Sequence, residues 1–379
     1  MANNTTKIVA IAAVAVIIIA AAAVVVMNNS NDEAEKKGLY MLDADVVNVS
    51  MGQCSATPSV ILTMEKIYES YYGKLNEKYT LADVKADTEF WNKYLNWTPL
   101  AVDNSDGTFS VTSSTKANGS ETVTIPKSDT VLSIGTMYTE TIYFLLCEKY
   151  NVEPYSEAGL NNESIKIELN QMISGGMDYN YYVDNDVEFM LKYINKDNYI
   201  DLGVNSVQKI DAEKLTSAIK EAQNGGKNVL YMASGSRMSE DKYYDSNTNP
   251  CKSTGAYYAF FAPSTFADVC SCIDAIGKLM GFDEKVIEGM VENFQVKLYN
   301  IYKGVQEKSS EDKPLAYWES GTGKSVKSSM ASTILEFLGF DTKLLDGAEH
   351  DLESLIKDKP SILIFYDNDT RSMDEKMRV

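Results

Sequence analysis

Polar and aromatic side chains follow several short apolar runs of this 379-residue chain. Each run is typical of a buried β-strand, and a loop rich in glycine, serine or threonine comes directly after it. Backbone amides and hydroxyls in such loops bind anionic or carbonyl-rich groups, above all where a helix begins. Two of the three arginines, Arg237 and Arg371, lie in these loops. Guanidinium matches carboxylate and phosphate well, so the pattern indicates an anion-binding site.

The candidate ligand-binding residues lie beyond a predicted strand or in a glycine- and tyrosine-rich loop. They are Thr136, Met137, Tyr138, Tyr179, Tyr181, Arg237, Trp318, Thr322, Lys324 and Arg371. If two sheets face each other across their carboxyl ends, both arginines would enter one cleft. Alternatively, each arginine pairs with a neighbouring acid such as Glu240 or Asp369, and the loops are those of any parallel sheet.

The sequence contains only weak matches to catalytic motifs. We therefore predict that the protein is not an enzyme and uses no cofactor. The only histidine, His350, precedes Asp351 at an apparent helix start, where a solvated or capping role is expected. No G-x-S-x-G motif occurs. The segment SGTGKS resembles the end of a phosphate-binding loop, but Trp318 stands where the first glycine is needed.

The five cysteines form no C-x-x-C motif, and an odd number cannot all pair within one chain. We therefore expect mostly buried thiols with at most one disulfide, and no metal site. Acidic pairs such as Asp184 and Asp186 are expected to be solvated, because the whole chain is acidic.

The N-terminal run Ile8–Met27 contains twenty consecutive apolar residues, enough to cross a bilayer as a helix. Lys7 precedes the run and acidic residues follow it, which favours a single-pass anchor in the cell membrane with an extracytoplasmic body. A cleaved signal peptide is the alternative. Without Lys7, 34 basic and 54 acidic residues give the body a charge of −20. Such a surface repels phosphate backbones and excludes nucleic acid as a partner.

The order of predicted elements indicates an α/β fold of two lobes with mainly parallel sheets. We expect a membrane segment at 1–31, a spacer with a small helical module at 32–102, and a first lobe at 103–255 that begins with a β-hairpin. An interlobe helical region at 256–310 follows, and then a second, short α/β lobe at 311–379. The helices expected at 265–280 and 284–307 would join the lobes and limit their relative motion.

The segment from Gly107 to Leu146 resembles the opening of class III substrate-binding proteins of ABC importers, the iron-siderophore, haem and cobalamin group. It contains a hairpin, a strand, a small-residue loop and a helix with a glutamate, here Glu140. Residues 313–367 resemble the start of that family's second lobe, and the helix at 265–280 occupies the position of its rigid interlobe helix. The resemblance implies that Glu140 and Glu336 contact an ABC permease.

The resulting hypothesis is a membrane-anchored solute-binding protein that captures an anionic metal chelate or a corrinoid-like molecule between two lobes and presents it to a permease. Two departures from the family pattern matter. The chain given stops twelve residues after Asp367, and residues 40–102 have no counterpart in the family. The alternatives are a cell-surface interaction or adhesion protein that keeps the fold without import, and an extracytoplasmic enzyme that uses the same cleft.

Overall fold

The computed structural model describes residues 44–50, 56–308, 313–320, 324–327 and 329–366, and it confirms the α/β class. The strands are β1 Asp45–Val49, β2 Ala101–Asp103, β3 Thr108–Ser114, β4 Ser120–Pro126, β5 Thr130–Ile134, β6 Ile173–Gly176, β7 Ile200–Asp201, β8 Val229–Ser234, β9 Tyr257–Phe261, β10 Ala316–Trp318 and β11 Ile362–Tyr366. The α-helices are α1 Val60–Tyr72, α2 Leu81–Ala86, α3 Thr88–Phe90, α4 Thr136–Lys149, α5 Glu157–Leu160, α6 Glu163–Met172, α7 Tyr179–Asp184, α8 Glu188–Tyr193, α9 Ala212–Ala222, α10 Asp241–Thr254, α11 Phe266–Leu279, α12 Glu284–Lys308, α13 Ser329–Phe337 and α14 Leu352–Asp358.

The first lobe is built on a five-stranded parallel sheet with the order β7-β6-β5-β8-β9. All five residues of β5 are buried, as expected for a central parallel strand that is covered on both faces. The edge strand β9 lies beyond residue 255, where we had expected this lobe to end. A hairpin of β3 and β4, extended by β2, forms a separate antiparallel sheet at the predicted place.

Gly176 allows β6 to pair closely with β5 at a register shift between Val131 and Leu132. Its φ is +147°, and a Cβ there would lie 1.9 Å from the Ser133 carbonyl oxygen. Any side chain at this position would therefore collide with the neighbouring backbone. The pattern SGG had suggested only a loop, so the sequence did not reveal this strand.

The second lobe contains a three-stranded parallel sheet with the order β1-β11-β10. Strand β1 belongs to the N-terminal part of the chain, yet it pairs with β11 from Asp45↔Ile362 to Val49↔Tyr366. We had expected only a spacer and helices before residue 103. The N-terminal segment thus adds a strand to the short second lobe, and α1 packs against that strand and against α12.

Helices α11 and α12 connect the two lobes, close to the predicted bounds. Thr265 begins α11 with a capping box, in which its hydroxyl accepts from the Asp268 amide at 3.2 Å. Gly277 lets the two helices approach, because a Cβ there would lie 2.6 Å from Ile287. One hydrophobic core extends through both lobes and these helices, and a smaller cluster covers the other face of β11.

Four of the five cysteines are among the described residues, and each is a buried free thiol. They are Cys147, Cys251, Cys270 and Cys272. The described residues contain no group of acidic, histidine and cysteine side chains that could hold a metal ion. No described helix is long and apolar enough for a membrane span. The predicted anchor Ile8–Met27 lies outside the described residues.

Candidate functional site

The carboxyl edge of the five-stranded sheet contains the point where the strand order reverses. The chain passes from β5 to β6 and β7 on one side, and then to β8 and β9 on the other. Open parallel sheets bind ligands in the crevice at such a point. Here α4 begins at Thr136 directly after β5, and the turn Gly235–Arg237 follows β8. The topology therefore brings the loops with Thr136 and Arg237 to one edge.

Tyr138 fills part of this crevice instead of facing solvent. Its side chain is 1% exposed, and its hydroxyl donates to the Ala233 carbonyl at 2.5 Å. The same hydroxyl accepts from the Phe261 amide at 3.1 Å. Burial raises the pKa of the Tyr138 phenol far above its ordinary value. Tyr138 thus links α4 to the ends of β8 and β9 in this conformation, and its contact with a ligand stays a prediction.

The tyrosine-rich loop after β6 packs largely upon itself. Tyr179 is 7% exposed, and its ring contacts Tyr182 and Tyr199. The Tyr199 hydroxyl donates to the Met177 carbonyl at 3.0 Å. Tyr179 therefore supports the loop, whereas Tyr181 is only half-buried and can reach a ligand.

Arg237 is the accessible cation at this edge. Its side chain is exposed, and its guanidinium forms no ion pair or hydrogen bond with any described residue. Glu240, the acid we had considered as its partner, lies 3.4 Å from Lys242 instead. Thr136 and Met137 are half-buried at the start of α4. Of the predicted first-lobe residues, four remain available to a ligand: Thr136, Met137, Tyr181 and Arg237.

The second lobe contributes less than expected. Trp318 is fully buried beside Tyr366, with ring centroids 6.1 Å apart, so it packs within the lobe here, and its contact with a ligand stays a prediction. Its indole nitrogen has no hydrogen-bond partner among the residues that the structure describes. Lys324 is exposed and lies 3.9 Å from Glu349. Thr322 and Arg371 lie outside the described residues.

A buried hydrogen-bond network around Glu140 joins a segment that follows β1 to the helix that follows β5. Ser59, in the buried segment between β1 and α1, donates its hydroxyl to Glu140 Oε2 at 2.8 Å. Tyr155 donates its hydroxyl to Glu140 Oε1 at 2.7 Å, and Thr57 lies 2.9 Å from Ser59. Burial raises the pKa of the Glu140 carboxyl, and the hydroxyl donors oppose that effect only in part.

Glu140 is 2% exposed in this conformation, and its contact with a permease stays a prediction. Its role here is to join the segment after β1 to the helix after β5. Glu336, the other predicted permease contact, is exposed on α13. The sequence did not identify Thr57, Ser59 or Tyr155, because a hydroxyl before a helix usually indicates a cap.

Two small cavities lie between described residues. One, of about 190 Å³, lies between the hairpin and the end of β9, and Ser114, Phe260, Pro263 and Asp268 contribute to its lining. The other, of about 200 Å³, lies between α1, α4 and α12. Both are smaller than the roughly 300–1,000 Å³ typical of sites for drug-sized ligands.

No protein-family model matches this sequence, and no curated protein matches it significantly. Among solved structures, the fold is similar to a periplasmic solute binding protein from Veillonella parvula DSM 2008, with a TM-score of 0.46 and 11% identity over 70% of each chain. It is also similar to the heme binding protein HmuT, with a TM-score of 0.42 and 16% identity over 72% of this chain and 76% of that one.

Proposed function

We propose that this protein is the extracytoplasmic solute-binding component of an ABC importer, and that its solute binds where the carboxyl edges of the two sheets meet. One observation carries the proposal. The hydrogen bond from Ser59 to Glu140 joins a segment that follows β1, in one parallel sheet, to the helix that follows β5, in the other. Loops at such edges are the usual ligand-binding surface of parallel sheets.

The ligand class follows from Arg237. An unpaired guanidinium at this edge is a local positive site on a chain of net charge −19, and it would attract an anion. An anionic metal chelate or a corrinoid-like molecule fits this chemistry and the sequence resemblance. The two cavities of about 190 and 200 Å³ are too small for such a ligand, so we infer that its binding requires the edges to move apart.

The arrangement around the only histidine does not support hydrolysis. His350 Nε2 lies 3.0 Å from Asp346 Oδ1, and the Ser325 hydroxyl donates to the same oxygen at 2.9 Å. In a catalytic triad the histidine lies between the serine and the acid. Here Asp346 lies between Ser325 and His350, so the three side chains form a structural link within the second lobe. The solvated or capping role expected for His350 was incomplete, since it is Asp351 that caps α14.

The membrane anchor is part of the same proposal. We infer that Ile8–Met27 holds the body on the outer face of the cell membrane, where a permease is within reach. The full chain should then remain in membranes after a carbonate wash. An intact mass that places the mature N-terminus beyond Ala23 would instead mean a cleaved signal peptide.

A cell-surface interaction protein is the second candidate, and the Glu140 network favours it. The chain's own residues 56–59 are buried at the place where a solute would bind. If the edges never separate, the fold would serve to present surfaces to other proteins.

A thermal-shift panel on the full chain in detergent separates these candidates. The probes are haemin, a ferric catecholate siderophore, a ferric hydroxamate siderophore and cyanocobalamin. The proposal predicts stabilisation by at least one probe, and a ten- to hundredfold weaker affinity for Arg237→Ala, about 1.5–3 kcal/mol for a charged hydrogen-bonding partner. Lys227→Ala is the matched control, because Lys227 is exposed before the amino end of the same strand, β8. No stabilisation by any probe would favour the interaction protein.

A further inference from the structure

Ser59 lies at the N-cap position of α1, but its hydroxyl does not cap that helix. It donates instead to Glu140 Oε2 on α4, 81 residues away in the chain, at 2.8 Å. A serine in this position usually accepts from an amide of its own helix, which stabilises the start of the helix. The Ser59 hydroxyl therefore serves a contact between two distant segments, while α1 begins without a side-chain cap.

Thr57 and Tyr155 complete a small network around the same carboxyl. Thr57 Oγ1 lies 2.9 Å from Ser59 Oγ, and both residues are fully buried. Tyr155, in the loop after α4, donates its hydroxyl to Glu140 Oε1 at 2.7 Å. One carboxyl oxygen thus accepts from the segment before α1, and the other accepts from the loop after α4.

The backbone of Tyr155 adopts a strained conformation. Its φ is +59°, in the left-handed region that bulky residues rarely occupy. Its amide donates to the Tyr143 hydroxyl at 3.0 Å, which holds the loop in place. Strained residues of this kind cluster at sites that change conformation, and here the strain places the Tyr155 hydroxyl within reach of Glu140.

Glu140 lacks the cationic partner that most buried acids have. It forms no ion pair with any residue that the structure describes, and the groups that oppose the effect of burial on its pKa are three hydroxyls. Hydroxyl donors offset only part of the cost of removing a carboxylate from water. Water can replace each of these donors when the segments separate, so the closed network is favoured by a small margin.

The cavity of about 200 Å³ adjoins this network. Pro58 lies between Thr57 and Ser59, Pro154 precedes Tyr155, and both prolines line the cavity together with Cys147. The Cys147 side chain is a buried free thiol in this conformation. Displacement of either segment therefore widens the cavity and opens a path to that thiol.

We propose that the hydrogen bonds from Ser59 and Tyr155 to Glu140 form a latch, which holds the segment before α1 against α4 and must open before the solute binds. This inference rests on the proposed solute-binding function, for which the cavities of the closed conformation are too small. The closed latch lowers the apparent affinity for the solute, because only the open fraction of the molecules binds it. The latch is thus an autoinhibitory contact made by the N-terminal part of the chain.

Two measurements on the full chain in detergent test the latch. The first is the rate at which a thiol reagent modifies Cys147, assigned by peptide mass spectrometry, and the second is the affinity for a probe that binds in the thermal-shift panel. Ser59→Ala removes one hydrogen bond to the buried carboxyl, so the open fraction should rise about tenfold. Cys147 should then be modified at least about tenfold faster than in the wild type, and the probe should bind about tenfold more tightly. Cys251, which is buried on α10, should stay unmodified in both proteins.

Ser271→Ala is the matched control. Ser271 is buried, and its hydroxyl donates within its own helix, to the Ala267 carbonyl at 3.2 Å, so its loss should change neither measurement. Tyr155→Phe removes the other donor to Glu140 and should act in the same direction as Ser59→Ala. Circular dichroism checks that all three variants fold.

The two measurements distinguish a latch from a purely structural contact. A structural contact would loosen without improving the affinity, so faster modification of Cys147 without tighter binding of the probe would overturn the proposal. Cys147 that stays unmodified in the folded Ser59→Ala and Tyr155→Phe variants would overturn it as well. A panel in which no probe binds would count against the solute-binding function itself, whereas the modification of Cys147 needs no solute and still decides whether the latch opens.

Discussion

Replacing Glu65 by glutamine should change how the stability of this protein depends on pH. The Glu65 carboxyl has one buried oxygen without a hydrogen-bond partner in the described part of the chain, and its pKa is raised from 4.5 to about 7. Between pH 4.5 and about pH 7, Glu65 holds a proton in the folded state that it has released in the unfolded state. The free energy of unfolding therefore falls as the pH rises from 4.5 to 7. Below pH 4.5 the Glu65 carboxyl is protonated in both states, so its titration no longer lowers the free energy of unfolding.

The magnitude follows from the width of that range. Each pH unit between the two pKa values, 4.5 and about 7, costs up to about 1.4 kcal/mol, which sums to about 3 kcal/mol above pH 7. Glutamine has a similar shape and no charge, so Glu65→Gln removes this loss. The variant should be up to about 3 kcal/mol more stable than the wild type at about pH 8, and nearly equal to it at about pH 4.5.

Urea unfolding of both proteins across this pH range measures the difference directly. Glu288→Gln is the matched control, since Glu288 is an exposed glutamate on α12. Parallel stability curves for wild type and Glu65→Gln would refute the reasoning, because they would mean that Glu65 keeps the same proton affinity in both states.

Three further outcomes follow from the fold. Gly176→Ala should prevent folding or reduce the yield of soluble protein severely, because its Cβ would lie 1.9 Å from the Ser133 carbonyl oxygen at a φ of +147°; circular dichroism and yield measure this. A thiol reagent should leave the four described cysteines unmodified until urea unfolds the chain. Burial raises the pKa of Cys147, Cys251 and Cys270 to about 12, and it raises the pKa of Cys272 further still. Solution scattering with a bound probe should show only a small change in the overall dimensions, since two helices, one of 25 residues, join the lobes; a large domain closure would contradict this.

Local patterns in the sequence predicted most of the elements well. The helices predicted at 265–280 and 284–307 form within one residue of those bounds. These elements are determined by apolar periodicity and turn residues within a short window, which is why a sequence alone reveals them.

Elements that depend on distant partners were not predicted. Strand β1 has two exposed and two buried residues after Asp45, a weak signal, and its partner β11 lies more than 300 residues away in the chain. Pairing across such separations cannot be recognised from periodicity.

The candidate site shows the same division. The predicted order of strands and helices places the loops of Thr136 and Arg237 at the carboxyl edge of one sheet, and the structure has them there. That order alone determines at which edge a loop lies. It did not show which side chains face solvent. Tyr138, Glu140 and Trp318 were expected to contact partners, and tertiary packing buries all three.

Hydrogen exchange, measured with and without the probe that binds in the panel, tests most directly whether a solute binds between the two lobes. The account predicts slower exchange in both lobes at once, at residues 135–138 and 234–238 of the first and at residues 324–327 of the second. Protection confined to one lobe, or unchanged exchange at all three segments, would contradict it.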